Sequence, residues 1–277
     1  MIKYSATVAS AGTEFSPYLF KGNMIKTIEF CAENGFDAVE LHIRKADDID
    51  TSSIDKVCQK HNIKISTIGT GLGYTLDGLF LTDNDDIKRG QAIARLKEHI
   101  DIASILHCGV IIGSMRGRIP EGHKQDKERA MKNYSESLLL LADYAEKKGV
   151  TILLEPVNRY ENNFHNSSIE MRDFIKKLGS NKIKILLDTF HMNIEEHGLT
   201  GMYDSIKECK DFLGHMHFAD SNRRRPGAGH IDFAGILKTL NEINYDGYAA
   251  FEYLPWPEPE IASVEGLKYI KSLNISG

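Results

Sequence analysis

Four side chains able to bind a divalent cation lie in the second half of this 277-residue sequence, spaced 33, 29 and 35 residues apart. They are Glu155, Asp188, His217 and Glu252. Each ends or lies within a short apolar run: TILLE, KILLD, HMHF and AAFE. Three carboxylates and one imidazole suit Mn²⁺, Mg²⁺ or Co²⁺ and can also hold Zn²⁺. Because converging carboxylates would otherwise repel one another, the pattern predicts one bound divalent metal ion.

The apolar runs belong to a regular alternation of predicted strands and helices. Eight β-branched runs predict strands at Tyr4–Ser10, Ala38–Ile43, Lys64–Ile68, Gly109–Gly113, Thr151–Glu155, Ile183–Asp188, His215–Phe218 and Tyr248–Glu252. Helical patterns lie between them at Met24–Asn34, Asp55–His61, Ile87–Leu106, Asp126–Lys148, Ser167–Leu178, Phe233–Ile243 and Ile261–Leu273. Eight such units without a linker favour an α/β fold, a (β/α)₈ TIM barrel, as a single domain over residues 1–277. The C-terminal ends of barrel strands form the active site, which is where the four side chains would lie.

A doubly wound parallel sheet is the alternative fold. Its first strand would be KYSATVAS, which is not followed by the GxGxxG turn that binds a dinucleotide in such sheets. The barrel is therefore favoured. Gly35, Gly149 and Gly179 each follow a predicted helix and suit a left-handed helix end.

The composition bounds the possible partners. Apolar residues make up 42% of the chain and charged residues 26%, close to the averages for globular proteins. The net charge of −5 gives no electrostatic reason to attract nucleic acid or an anionic membrane. The sequence has neither an 18-residue apolar run nor an apolar export signal at its start, so we expect a cytoplasmic protein without a membrane span. The four cysteines form no CxxC pair, which favours reduced, packed thiols.

Three longer motifs surround the candidate ligands: LLEPVNRYE at 153–161, LLDTFHMNIEE at 186–196 and HMHFADSNRRRPGAGHIDF at 215–233. With these motifs the chain resembles the sugar isomerase/epimerase family that has a xylose isomerase-like barrel. Within that family it is most similar to ketose 3-epimerases. It resembles the D-tagatose/D-psicose 3-epimerases and, more closely, through IGTGLGYTLDGLFLT and DTFHMNIEE, the 5-keto-L-gluconate epimerases. The resemblance implies that Glu155 and Glu252 bind the metal and act as the acid/base pair, with Asp188 and His217 as the other ligands.

The resemblance also implies how the substrate is held and what happens to it. Residues matching Glu161, His191 and Arg223 hold the end of the substrate next to the carbonyl in such enzymes. The implied reaction inverts the carbon beside the carbonyl of a keto-sugar or keto-sugar acid through a cis-enediolate. The only tryptophan is Trp256, so the tryptophans that line the pocket of the tagatose and psicose enzymes have no evident counterpart, which disfavours a simple ketohexose. Because relatives are often dimers or tetramers, a homo-oligomer is expected.

The same sequence features are compatible with other functions. An aldose–ketose isomerase and an inosose isomerase or dehydratase share the metal and the enolate chemistry. A zinc endonuclease that cuts DNA at abasic sites uses the same barrel, but the net charge disfavours it. A non-catalytic sugar-binding barrel would not need both glutamates.

Weaker signals give further expectations. Of His215 and His217, on one predicted strand, we expect only one to face the barrel centre, and we assign the metal to His217. Glu40 and His42 end another strand and either line the pocket floor or have a structural role. The sequence MRGR at 115–118, after the fourth predicted strand, is either surface charge, which is the more common case, or a contact for an anionic group.

Overall fold

The strands form a closed parallel barrel. The computed structural model describes residues 1–273. The barrel strands are β1 (Lys3–Ala9), β2 (Ala38–His42), β3 (Lys64–Gly69), β4 (Gly109–Ile112), β5 (Ile152–Leu154), β6 (Ile183–Asp188), β7 (Leu213–Phe218) and β8 (Tyr248–Phe251). Each pairs in parallel with the next and β8 pairs with β1, while a two-residue strand at Phe20–Lys21 adds to β1 from outside. The predicted TIM barrel is confirmed, with strand bounds within two residues of those expected.

Helices surround the barrel. They are α1 (Met24–Glu33), α2 (Thr51–His61), α3 (Gly71–Asp77), α4 (Asp86–Leu106), α5 (Lys124–Lys148), α6 (Ser168–Leu178), α7 (Thr189–Glu195), α8 (Gly201–Glu208), α9 (Phe233–Glu242) and α10 (Pro259–Ser272). All seven predicted helices are present. The short helices α3, α7 and α8 were not predicted, because two turns carry too little apolar periodicity to stand out. In residues 1–273 there is no helix with the length and apolar character needed to cross a membrane.

Local sequence signals set several helix ends. Gly149 and Gly179 cap α5 and α6 with φ of 71° each, the left-handed backbone that glycine adopts without strain. Gly35, just beyond α1, has φ of 80°. At the start of α6, the Ser167 hydroxyl accepts from the Glu170 amide at 3.3 Å, and the Glu170 carboxylate accepts from the Ser167 amide at 3.2 Å. This capping box contributes about 1 kcal/mol to the stability of the helix.

The apolar core has two parts because side chains alternate along each strand. Val110, Ile152 and Ile185 belong to the large cluster against which the helices pack. Their chain neighbours Ile111, Leu153 and Leu186 form a separate cluster on the opposite face, inside the barrel. The cysteines are unpaired thiols, and Cys31, Cys58 and Cys209 are buried.

Arg116 corrects the expectation of surface charge at 115–118, because its side chain is fully buried. Its guanidinium lies 5.0 Å from the centre of the Phe164 ring, and Nη1 donates to the carbonyl of His165 at 3.1 Å. Burial lowers the pKa of Arg116 to about 10. The helix that follows brings Tyr134 against Phe164, so an aromatic layer covers this arginine. Of the two arginines in residues 115–118, Arg118 is exposed and Arg116 is buried.

His165 is expected to make the protein less stable below pH 6.5. Burial, with the nearby charge of Arg116, lowers its pKa to about 4. Between pH 6.5 and 4 the unfolded chain therefore binds a proton that the folded chain does not, so stability falls as the pH falls through this window. We expect a loss of up to about 2 kcal/mol between pH 7.5 and 5 from this residue, measured by urea unfolding.

The matched variant for this prediction is His165→Asn. Asparagine does not titrate, and it tolerates the left-handed φ of 46° at this position. Its overall stability will be lower because the stacking of His165 on Phe174 is lost. The difference between pH 7.5 and 5 should nevertheless be smaller than in the wild type. An equal pH dependence in the two proteins would contradict the prediction.

Candidate active site

The four candidate ligands meet at the C-terminal end of the barrel. Glu155 directly follows β5, Asp188 ends β6, His217 lies in β7 and Glu252 directly follows β8. All four are buried, and one ligand atom of each lies within 4.8 Å of the others. Nδ1 of His217 is 3.8 Å from Glu155 Oε1 and 3.9 Å from Asp188 Oδ2. It is 3.3 Å from Glu252 Oε2. The strands therefore bring the predicted set to one point.

Burial and neighbouring charges separate the pKa values of these carboxyl groups. Burial raises the pKa of Glu155 to about 8, and repulsion from Glu252 adds to the shift. Burial acts in the same direction on Glu252, but the His217 imidazole and the Arg223 guanidinium outweigh it and lower its pKa to about 2. Burial also raises the pKa of Asp188, against the effect of Arg223. A divalent cation would lower the pKa of Glu155, since an opposite charge favours the carboxylate.

The donor set fits a divalent cation. Glu155 Oε1 and His217 Nδ1 are buried, and neither has a hydrogen-bond partner within residues 1–273. Buried polar atoms without partners are costly, and these two face the same point as the carboxylates of Asp188 and Glu252. Three carboxylate oxygens and one imidazole nitrogen are ligands that hard or borderline divalent cations accept. These residues could therefore hold a divalent cation.

Arg223 lies beside this group. Its Nη1 is 2.6 Å from Asp188 Oδ2, and its Nη2 pairs with Glu252 Oε2. The guanidinium also lies over the Phe190 ring, 4.7 Å from its centre. The residue has φ of 56°, in the left-handed region, within the loop that follows β7. Arg223 thus contacts two of the candidate ligands, while the role that the resemblance implied for it, holding the substrate, stays a prediction.

His191 and Glu161 are joined by a residue that the sequence did not single out, Asn158. The Asn158 amide donates to His191 Nδ1 at 2.7 Å and to Glu161 Oε1 at 2.9 Å. Because Nδ1 of His191 accepts, Nε2 carries the proton, and Nε2 lies 3.7 Å from Glu155 Oε1. Burial lowers the pKa of His191 well below its usual value, with a further effect from Arg223. His191 is therefore a neutral donor. The only signal for Asn158 was its place within LLEPVNRYE.

An open cavity of about 490 Å³ lies against this group. Residues from all eight strands or the loops after them line it, among them Tyr18, His42, Thr70, Leu72, Gly113, Glu155, Glu161, His191, Arg223 and Glu252. Within residues 1–273, Arg223 is the one Lys or Arg side chain in this lining. The volume matches that of pockets for small molecules.

His215 and His217 correct an expectation. Both side chains face the barrel interior, since Nε2 of His215 is 2.9 Å and Nε2 of His217 is 3.0 Å from the carboxylate of Glu40. Residues two apart on a strand lie on the same face, so the expectation that only one could face the centre was wrong. Glu40 and His42 lie with them, because His42 Nε2 is 2.7 Å from Glu40 Oε1. Of these two, His42 lines the cavity.

Replacing Gly113 with alanine is expected to lower kcat/KM at least about tenfold. An added Cβ would stand 2.5 Å from Glu155 Oε2, so the carboxylate or the loop after β4 must move. Because Glu155 is an expected acid/base residue, moving its carboxylate by about 1 Å should be costly for catalysis. The measurement is steady-state kinetics with Mn²⁺ present. Gly90→Ala is the control, because nothing lies within 4 Å of its Cβ position on α4. Full activity of Gly113→Ala would contradict the claim that activity depends on the position of the Glu155 carboxylate.

Known proteins resemble this chain in sequence and in fold. The sequence profile of the family described as "Xylose isomerase-like TIM barrel" matches residues 28–273. The chain is 32% identical over 257 residues to D-psicose 3-epimerase of Agrobacterium fabrum, covering 91% of this chain and 83% of the relative. It is 28% identical to 3-dehydro-D-guloside 4-epimerase of Escherichia coli, over 84% of this chain and 88% of the relative. The crystal structure of apo 3-keto-D-glucoside 4-epimerase from E. coli superposes with a TM-score of 0.83 at 22% identity, covering 98% and 100% of the two chains.

Proposed function

This chain belongs to the family of xylose isomerase-like TIM barrels, and on that premise we propose that it is a divalent-metal-dependent carbohydrate epimerase. The proposed reaction inverts the carbon next to the carbonyl of a keto-sugar or keto-sugar acid. The observation that carries the proposal is the convergence of Glu155 and Glu252 with Asp188 and His217 against the cavity. The names of the relatives, which include 3-epimerases and a 4-epimerase of keto-sugars, support it.

Glu155, Asp188, His217 and Glu252 are the residues proposed to hold the metal ion. A divalent cation supplies Lewis-acid stabilisation of the negative charge that develops on the substrate oxygens when the proton is removed. Mn²⁺, Mg²⁺ and Co²⁺ are the ions that the donor set favours, and Zn²⁺ is also compatible with it.

Glu155 and Glu252 are proposed to move the proton. Inversion requires one base to remove the proton from one face and one acid to return a proton to the other. The two glutamates follow β5 and β8, strands that are not neighbours in the barrel, so they approach a substrate from different directions. A bound divalent cation would favour the carboxylate form of both side chains, so each can accept a proton from the substrate.

The remaining residues are proposed to orient the substrate. His191 is neutral and offers its Nε2–H, because Asn158 occupies Nδ1. Arg223 presents a planar guanidinium held over Phe190, which suits two neighbouring oxygens of a substrate. Glu161 is tied to the same asparagine and can accept from a hydroxyl. Together they provide one acceptor and two donors beside the acid/base pair.

The cavity favours an unphosphorylated substrate. Phosphate groups are usually held by several cationic side chains, whereas Arg223 is the one Lys or Arg side chain that lines this cavity within residues 1–273. Arg223 also contacts Asp188 and Glu252, so its charge is already compensated. A neutral keto-sugar, or one with a single carboxylate, therefore fits better than a ketose phosphate.

The test is incubation of the Mn²⁺-loaded protein with separate ketohexoses, ketopentoses, 5-keto-hexonates and ketose phosphates, with products separated by chromatography. We expect one unphosphorylated keto-sugar or keto-acid to be interconverted with its epimer at the carbon beside the carbonyl. Formation of an aldose from a ketose, or cleavage of a DNA duplex at an abasic site, would contradict the proposal. A homo-oligomer and a cytoplasmic location remain predictions from the sequence.

A further inference from the structure

We propose that Glu40 is a positioning residue that holds His217 in the tautomer able to bind the metal ion through Nδ1. The inference rests on the proposed function, since it assumes that His217 is a ligand. Glu40 lies in β2, is completely buried, and belongs to neither the acid/base pair nor the four proposed ligands. It sits below them inside the barrel, where a buried carboxylate needs partners for its charge.

The surroundings of Glu40 supply those partners. His42 Nε2 is 2.7 Å from Oε1, and His215 Nε2 is 2.9 Å from Oε2. The hydroxyl of Thr67 also donates to Oε2. An ionised carboxylate only accepts, so both imidazoles present Nε2–H to it. Donors from three different strands therefore fix the orientation of the Glu40 carboxylate independently of His217.

His217 lies between Glu40 and the candidate metal ligands. Its Nε2 is 3.0 Å from Glu40 Oε1, and its Nδ1 faces the carboxylates of Glu155, Asp188 and Glu252 at 3.3 to 3.9 Å. The Nε2–H points away from the direct line to Oε1, so the contact is one of charge and distance, without the alignment of a good hydrogen bond.

The surroundings of the two ring nitrogens of His217 determine which nitrogen carries the proton and which keeps a lone pair for the metal ion. A neutral imidazole has one N–H and one lone pair. With the proton on Nδ1, the lone pair of Nε2 would lie 3.0 Å from Glu40 Oε1 and be repelled by its charge. With the proton on Nε2, the positive end of the N–H bond lies beside the carboxylate instead, and the lone pair of Nδ1 faces the metal site. Carboxylates that accept from the far nitrogen of a histidine ligand are a common means of orienting that ligand and raising its basicity.

The first test measures Mn²⁺ binding by calorimetric titration of the metal-stripped protein, without substrate. Wild type should bind one Mn²⁺ per chain, and Glu40→Gln should bind it about 10- to 100-fold more weakly. Ser5→Ala is the control: it removes another buried polar contact in the barrel, to Ser66 at 2.8 Å, and should leave the affinity unchanged. Wild type that fails to bind Mn²⁺ would overturn the proposed function, whereas equal binding by wild type and Glu40→Gln would overturn this inference alone.

Two further readouts keep the inference testable if Glu40→Gln does not fold. Glu40→Asp keeps the charge but withdraws it by one methylene from His217, so its Mn²⁺ affinity should also fall. Nitrogen-15 NMR of wild type loaded with diamagnetic Zn²⁺ should place the proton of His217 on Nε2. A proton on Nδ1 would overturn the inference. So would two Mn²⁺ per chain with the second held by Glu40, His215 and His217, because Nε2 would then be a ligand.

Discussion

Replacing Glu155 or Glu252 with glutamine is expected to lower kcat by about a thousandfold or more. Each substitution keeps the size of the side chain but removes a carboxylate that must accept or return a proton. Loss of either group blocks one half of the inversion, so the two single variants should be similarly inactive and the double variant little worse. The measurement is kcat of each variant with saturating Mn²⁺, using the substrate identified by the panel described above.

The control for these variants is Glu136→Gln, because Glu136 is an exposed carboxylate on α5 that pairs with Lys132 at 3.7 Å. It should retain wild-type kcat. Metal content must be measured in parallel, since Glu155 and Glu252 are also proposed ligands. A Glu155→Gln or Glu252→Gln protein that folds, keeps its metal and retains more than half the activity would contradict the acid/base assignment.

Removing the metal ion is expected to abolish turnover and to lower the melting temperature. Three buried carboxylates then face one another, and His191, His217 and Arg223 are among the polar groups beside them. Restoring Mn²⁺ at a hundred times its dissociation constant should stabilise the fold by about 2.7 kcal/mol. The experiment is chelation, dialysis, and a melting curve and rate assay before and after adding Mn²⁺, Co²⁺ or Mg²⁺.

The Asp188→Asn variant separates metal binding from proton transfer in this experiment. Asp188 is a proposed ligand but is not in the acid/base pair, so its loss should weaken the stabilisation by Mn²⁺ and leave a low rate that rises with metal concentration. Full activity of the chelated wild type, or an unchanged melting temperature on adding metal, would contradict the metal site.

The four candidate ligands could be predicted because two local signals coincide. Glu155 and Asp188 each end an apolar run, and runs of this kind recur once per strand and helix. A closed parallel barrel places the C-terminal ends of its strands on one rim, so residues far apart in sequence meet there. Strand periodicity and barrel geometry are thus enough to bring these side chains together.

The residues around the ligands were harder to predict because their roles depend on packing between distant segments. Arg116 looked like surface charge, yet it is buried under Phe164 by the fold of two loops. The role of Asn158 depends on its hydrogen bond to His191, which lies 33 residues away in the sequence. Glu40 meets His215 across 175 residues, a contact that no local pattern contains.

The most direct measurement of the proposed function is solvent exchange at the carbon that is inverted. The Mn²⁺-loaded protein is incubated with its substrate in D₂O, and the carbon-bound protons are followed by NMR. Since one glutamate removes the proton and the other returns a different one, the epimer should carry deuterium at the carbon beside the carbonyl, and Glu155→Gln should give none. An epimer formed without deuterium from the solvent would contradict proton transfer by the two glutamates.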